Sequence, residues 1–328
     1  MQYRKLGKTG IDVSAISLGT WQVGGKWGDT FSHANADRIL GEAVDNGVNF
    51  IDTADVYSDG DSEKAVGNFV RSRSEKIYVA TKCGRQLNPH ISKSYQPDVL
   101  RKFVEASLKN MGLETLDLIQ LHCPPTDVYY RPEIFELFDR LKTEGKIQNL
   151  GISVERVEEA LKGIEYDNVT TVQIIFNIFR QRPAELFFEQ AKKKDIGVIV
   201  RVPLASGLLT GKFTKDSSFT AGDHRNFNRN GEAFDKGETF SGINYEKGLE
   251  AVEALKLIFP YEPNLAPLAL KWILQFDAVS CIIPGASSPE QVASNLKCLE
   301  VPDFTPEQLT KIQTVYNQFI KPDVHHLW

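Results

Sequence analysis

Three apolar runs of this chain end on groups that can hold or move a proton. Phe50-Ile51 leads into Asp52, Val79-Ala80-Thr81 into Lys82, and Leu118-Ile119-Gln120-Leu121 into His122, while Tyr57 follows Asp52 by five positions. A carboxylate and an ammonium brought together inside a protein satisfy one another as an ion pair. A phenol beside that ammonium is expected to lose its proton below the ordinary value of ~10. Tyr57 is therefore a candidate general acid–base, and His122 a candidate hydrogen-bond donor to a carbonyl oxygen. Any one of these residues alone reads as a strand-end polar group satisfied by its neighbours. Four of them in successive segments point to a site.

For such groups to meet, the apolar runs must be neighbouring strands that end at one rim. Short β-rich runs occur at 15–21, 49–54, 76–82, 116–122, 147–153, 170–176, 197–203 and 279–285. Between and after them, segments 33–47, 61–71, 97–111, 131–145, 155–163, 184–194, 246–276 and 289–299 read as helices. Pro97 and Pro289 suit first helical turns, and Gly47, Gly112, Gly145 and Gly197 follow helical runs as stops. Eight βα units predict a (β/α)8 barrel, a single unit over 1–328, with its active site at the C-terminal strand ends. Residues 3–14 predict a hairpin turning at Lys8-Thr9-Gly10 that plugs one end, and 306–320 an extra C-terminal helix. The stretch 211–245, after the seventh strand, predicts a long irregular loop whose Phe213, Phe219, Phe227, Phe234 and Phe240 pack down.

The ordered motifs Phe50-Ile51-Asp52-Thr53-Ala54-x-x-Tyr57, Ala80-Thr81-Lys82 and Asp117-Leu118-Ile119-Gln120-Leu121-His122 resemble the aldo-keto reductase family. The likeness runs from LGKTGIDVSAISLGTW to IPGASSPEQVASN, and is greatest to its bacterial, potassium-channel-β-like branch. It implies a barrel that binds NADP(H) across its mouth and reduces aldehydes or ketones by direct hydride transfer, without a metal. Carried over, Tyr57 is the general acid, Lys82 lowers its pKa, Asp52 pairs with Lys82, and His122 orients the carbonyl. The implied cofactor residues are Gly19, Thr20, Trp21 and Asp52 at the first strands, with Ser153 and Gln173 for the carboxamide and Arg201 at the ring-stacking position. Pro203, Leu204, Ser206, Gly207, Leu209, Lys212 and Arg225 follow for the pyrophosphate and ribose, then Gly285, Ala286, Ser287, Gln291 and Asn295 for the adenosine. Trp21 and Trp27 would wall the substrate pocket with Tyr57 and His122.

Three departures from the family pattern stand out. Val154 replaces a frequent asparagine, and Arg201 brings a permanent charge to a position often aromatic, where it could recruit an anionic substrate group. The adenosine motif lacks the lysine and arginine that grip a 2′-phosphate in many members, leaving Lys212 or Arg225 to supply that charge. NADPH is expected over NADH on the strength of a charge-assisted phosphate contact. Two rival readings remain: a Schiff-base aldolase using Lys82, and a cofactor-occupied binding or redox-sensing subunit with vestigial turnover.

Other classes find no support. With 38 Lys+Arg against 43 Asp+Glu, net charge −5, and no basic cluster, nothing is set out to neutralise a nucleic-acid backbone. No apolar stretch of membrane-spanning length and no leader-like start are present, so the expected location is cytoplasmic. The four cysteines lack metal or disulfide spacing and read as reduced core thiols. Gly207-x3-Gly211-Lys212-Phe213 is one residue short of a P-loop and lacks its Ser/Thr. His325-His326 reads as a packed or exposed tail, and no metal is expected.

Overall fold

The computed structural model describes residues 1–26 and 28–328. An antiparallel hairpin, β1 (Tyr3–Lys5) and β2 (Asp12–Ser14), opens the chain. The barrel strands follow as β3 (Leu18–Gly19), β4 (Phe50–Asp52), β5 (Tyr78–Cys83), β6 (Leu116–His122), β7 (Ile147–Ser153), β8 (Val169–Ile175), β9 (Gly197–Arg201) and β10 (Val279–Ile282). All neighbours are parallel and in chain order, and bridges Ile16 to Ile282 and Gly19 to Gly285 join the two edges. This is the predicted (β/α)8 barrel. Its seam needs a glycine, because a Cβ on Gly19 would lie 2.7 Å from the Ile283 carbonyl oxygen.

Inside the barrel, Leu6, Ile11 and Val13 from the hairpin region pack with Phe50, Ala80, Leu118, Ile199, Cys281 and Ile283. These strand residues sit one layer below Asp52, Lys82 and Gln120. The hairpin thus fills the N-terminal end with hydrocarbon and leaves the polar layer at the other mouth.

The helices that hold the strands from outside are α1 (His33–Asp45), α2 (Asp61–Ser72), α3 (Pro97–Met111), α4 (Pro132–Thr143), α5 (Val157–Gly163) and α6 (Phe187–Lys193). They continue as α7 (His224–Phe227), α8 (Tyr245–Ile258), α9 (Ala266–Leu274), α10 (Pro289–Leu296), α11 (Pro306–Val315) and α12 (Lys321–Val324). α3 shows the logic. Pro97 sits in its first turn, Leu100, Val104 and Met111 are buried, and Gly112 ends it in the left-handed region (φ 64°) with its N–H on Leu108. Each buried apolar side chain of that size contributes roughly 1.5–3 kcal/mol over its exposed state.

Two expectations need correction. The single helix over 246–276 is two, α8 and α9, because Pro260 and Pro263 in the connecting segment cannot continue a helical ladder. The long loop holds the short α7, capped by the Asp223 side chain on the Arg225 N–H, together with two 3₁₀ turns, Lys236–Glu238 and Phe240–Gly242. Its Phe240 and Ser241 are fully packed, and Ser241 hydrogen bonds Asn177 at 2.9 Å, so this part of the loop is a fixed wall of the mouth. The tail is fixed too: His325 Nδ1 lies 2.7 Å from the Tyr316 hydroxyl and Nε2 3.0 Å from Glu185. No helix of the described residues is long and apolar enough to cross a membrane.

Candidate active site

Strand register brings the predicted quartet together. Asp52 pairs with Ala80, Lys82 with Gln120, His122 with Ser153, and Ser153 with Gln173. The Lys82 ammonium donates to Asp52 Oδ1 at 2.5 Å, to the Thr53 carbonyl at 2.8 Å and to the Tyr57 hydroxyl at 3.4 Å. A lysine has three N–H donors, and all three are used. Asp52 Oδ2 in turn accepts from Gln120 Nε2 at 3.0 Å and Gln173 Nε2 at 2.8 Å. Tyr57 reaches this network from the tight turn after β4, where Ser58 and Asp59 take left-handed conformations. Its ring lies 6.0 Å from Trp21, nearly parallel, and 6.1 Å from the His122 ring, edge-on.

Burial dominates the electrostatics. It pushes the Tyr57 phenol above its ordinary value; the Lys82 charge works the other way but is outweighed, with Asp52 and Glu238 adding to the rise. The net lowering expected from sequence is therefore not found. Burial also opposes the Lys82 charge, but Asp52 and Tyr57 together hold the ammonium above its ordinary pKa. His122 is held well below its ordinary value, first by burial and then by the Lys82, Arg85 and Arg201 charges. Its imidazole is neutral at physiological pH, a ring that can donate a hydrogen bond but does not compete as an acid.

Asp52, Tyr57 and His122 line a cavity of about 410 Å³, with Lys82 buried out of it. Its lining includes Gly19, Thr20, Trp21, Asp52, Tyr57, His122, Gln173 and Arg201. Pro203, Leu204, Ser206, Gly207, Lys212, Arg225, Gly285, Gln291 and Asn295 line it as well. Besides Lys82, four predicted cofactor residues do not line it. Ser153 is buried beneath it beside Cys123, Leu209 and Ala286 are fully buried in the core, and Ser287 binds the Gln291 amide oxygen with its backbone N–H at 2.9 Å. Trp27 lies outside the described residues. Gln173 spends its amide N–H groups on Asp52 and Gln120, and Arg225 is clasped by Asp223 through contacts of 2.9 and 2.6 Å.

Sequence reasoning missed two groups. Gln120 helps to hold Asp52; a glutamine inside the apolar run Leu118–Leu121 was the available signal. The second is a charged cluster beside His122. Arg201 contacts Glu155 at 2.8 Å and Glu238 at 3.5 Å, while Arg85 contacts Glu238 at 3.4 Å and Glu155 at 3.7 Å. Burial and the Glu155 charge push Glu238 up, whereas the guanidiniums overcome burial to hold Glu155 down. Cys123 joins these carboxyls in a group with cation-ligand spacing, but the guanidiniums already occupy the carboxylates and burial pushes the thiol up.

The sequence pattern of the aldo/keto reductase family matches residues 15–317. The chain belongs to that family. Like other aldo-keto reductases, it is an oxidoreductase of a family that uses nicotinamide cofactors. It is 31% identical over 318 residues to the NADH-specific methylglyoxal reductase of Escherichia coli K12, covering 90% of this chain and 93% of that one. A putative voltage-gated potassium channel subunit beta of Schizosaccharomyces pombe is 30% identical over 343 residues, with 96% and 93% covered. Among solved structures, this reductase barrel matches the glycerol dehydrogenase of Gluconobacter oxydans with a TM-score of 0.77, 28% identity, and 97% and 96% of the chains covered.

Proposed function

We propose that this chain, as one domain, interconverts aldehydes or ketones and alcohols with NADP(H), with Tyr57 as general acid–base. The observation that carries the reading is the Tyr57 hydroxyl, 3.4 Å from a charged Lys82, in a cavity shared with a neutral His122. The cleft suits a dinucleotide. Ser206 (φ 54°) and Gly207 (φ 97°) turn the loop after β9 through left-handed conformations, and Ser206, Gly207, Lys212 and Arg225 all line the cleft, where backbone N–H groups and cations suit a phosphate.

A bound reduced nicotinamide supplies the hydride. Tyr57 passes its proton to the carbonyl oxygen, and the Lys82 ammonium stabilises the phenolate left behind. Asp52, braced by Gln120 and Gln173, keeps that ammonium charged and fixed. The His122 ring donates to the same oxygen and orients it. In the reverse direction Tyr57 takes the alcohol proton. A Schiff-base role for Lys82 would need a neutral amine, which the 2.5 Å contact with Asp52 opposes.

For the nucleotide, NADPH is favoured by Lys212, which lines the cleft and makes no ion pair among the described residues. NADH is favoured by the closure of Arg225 on Asp223 and by the uncharged Gly285, Gln291 and Asn295 in the lining. The test is a fluorescence titration of cofactor-free protein with each nucleotide, followed by nicotinamide absorbance on adding an aldehyde. NADPH should bind roughly tenfold more tightly, lose that margin in Lys212→Ala, and be oxidised when aldehyde is added. Tight binding with no oxidation by any of a panel of carbonyl compounds would favour the cofactor-holding subunit.

A further inference from the structure

The cluster beside His122 has a feature the hydride-transfer reading does not use. Arg85, on the segment after β5, and Arg201, at the end of β9, both face the carboxyl of Glu238, which the long loop carries into the cavity wall. Their distances to it, 3.4 and 3.5 Å, exceed the ~2.7–2.9 Å of a tight charge-assisted pair. Glu155 is held differently: Arg201 grips it at 2.8 Å, and its neighbour Arg180 donates to its backbone carbonyl at 2.9 Å. Glu238 is the loosely held member.

Charge points the same way. Two guanidiniums face one carboxyl that is held down, Glu155, and one that is pushed up to about 7, Glu238, so at neutral pH the foursome carries a net positive charge. The Lys82–Asp52 pair is balanced and His122 is neutral, so nothing in the quartet offsets it. Arg180 lies behind, stacked on Trp328 at 4.1 Å, with one guanidinium nitrogen lacking a hydrogen-bond partner. The Arg201 Nε–H is likewise buried without a partner, although the side chain lines the cavity. A buried guanidinium left with unused donors is costly until an anion completes it.

We infer that Arg85 and Arg201 form a carboxylate subsite of the substrate pocket, in which Glu238 stands in for the substrate's own carboxylate when none is bound. The inference rests on the carbonyl-reductase reading and sharpens it: the preferred substrates are oxo acids, with the carbonyl at Tyr57 and His122 and the carboxylate at the two arginines. A carboxylate rather than a bulkier anion is named because a carboxyl already occupies the gap between the guanidiniums. On binding, the Glu238 carboxyl moves aside as the neutral acid, and no covalent step is involved.

Two measurements test this. The first compares kcat/KM for 4-oxobutanoate and 5-oxopentanoate with that for their methyl esters, in the wild type and in Arg85→Gln. At least one acid should exceed its ester by tenfold or more, and the ratio should fall below about threefold in the variant. Ratios near one in the wild type, or an undiminished ratio in the variant, would overturn the subsite. The second needs no turnover: calorimetric titration with butanoate and with butanamide. Tighter binding of butanoate by tenfold or more in the wild type supports the subsite, and equal or undetectable binding of both overturns it. If no carbonyl compound is reduced but butanoate still binds selectively, the reductase reading fails and the anion site stands; if esters are reduced as well as acids, the reverse holds.

Discussion

Two buried charged groups share the mouth of this barrel, and they are built differently. Asp52, Lys82, Gln120 and Gln173 stand on four strands, meet at 2.5–3.0 Å and balance one another, so every charge has a fixed partner. Arg85, Glu155, Arg201 and Glu238 come from loops and strand ends and meet at 2.8–3.7 Å. The first arrangement is fixed, which suits the proposed stabilisation of a Tyr57 phenolate in one position. The second has slack, because Glu238 meets its guanidiniums only at 3.4 and 3.5 Å and its carboxyl is pushed up to about 7. What separates them is the support: strand register fixes distances that loops do not.

The contrast breaks most readily at Lys82. Lys82→Met leaves Asp52 as an unpaired buried carboxylate and removes the neighbour of Tyr57. Turnover should drop roughly 10²–10⁴-fold, and unfolding free energy by about 3–5 kcal/mol, read by single-turnover absorbance and urea denaturation. A variant within ~1 kcal/mol of wild type would mean that Asp52 is relieved by protonation at little cost.

A second test uses pH. Asp55 lies behind Lys82, and burial together with the Glu63 charge pushes its carboxyl from 3.8 up to about 7. A raised folded-state value means that the native state holds the proton where the unfolded chain has lost it. Stability from this group therefore falls as pH rises from 3.8 towards 7 and is flat above. Asp55→Asn should gain on the wild type between pH 5 and pH 8 by on the order of 2 kcal/mol, seen in urea midpoints at the two pH values. A difference between the two proteins that does not change with pH would refute the assignment.

The smallest effect belongs to the slack cluster. In Glu155→Gln, Glu238 gives up its proton and becomes the anion for both guanidiniums, so thermal unfolding should show a loss of about 1 kcal/mol or less. A loss of ~3 kcal/mol or more, the scale of breaking a buried pair, would show that this cluster is as fixed as the other.

The Asp52–Lys82 pair at the centre of the rigid group is legible in the sequence, whereas Gln120 is not and Gln173 is read as a cofactor contact. Asp52, Lys82 and His122 end apolar strands, a position visible as a change from hydrocarbon to charge, and Tyr57 lies at a fixed short spacing from the first of them. The eight βα units follow from periodicity for the same reason. Glu155, Glu238 and Arg85 carry no such mark, since they meet only when loops far apart in the chain fold over the mouth. Arg201 was legible as a charge at a strand end, but not its partners. The Tyr57 pKa was misjudged because the ammonium can be read from sequence and desolvation cannot. Pro260 and Pro263 were in plain view, and a run of apolar residues on either side hid the break they make.

The central claim is that Tyr57 is the proton donor of a nicotinamide-dependent carbonyl reductase. The most direct measurement is single-turnover oxidation of bound NADPH on mixing with aldehyde, in the wild type and in Tyr57→Phe, with NADPH affinity taken from protein fluorescence. The account predicts a rate lower by roughly 10²–10⁴-fold in the variant, with affinity unchanged within about twofold. Oxidation at the wild-type rate in Tyr57→Phe would contradict it.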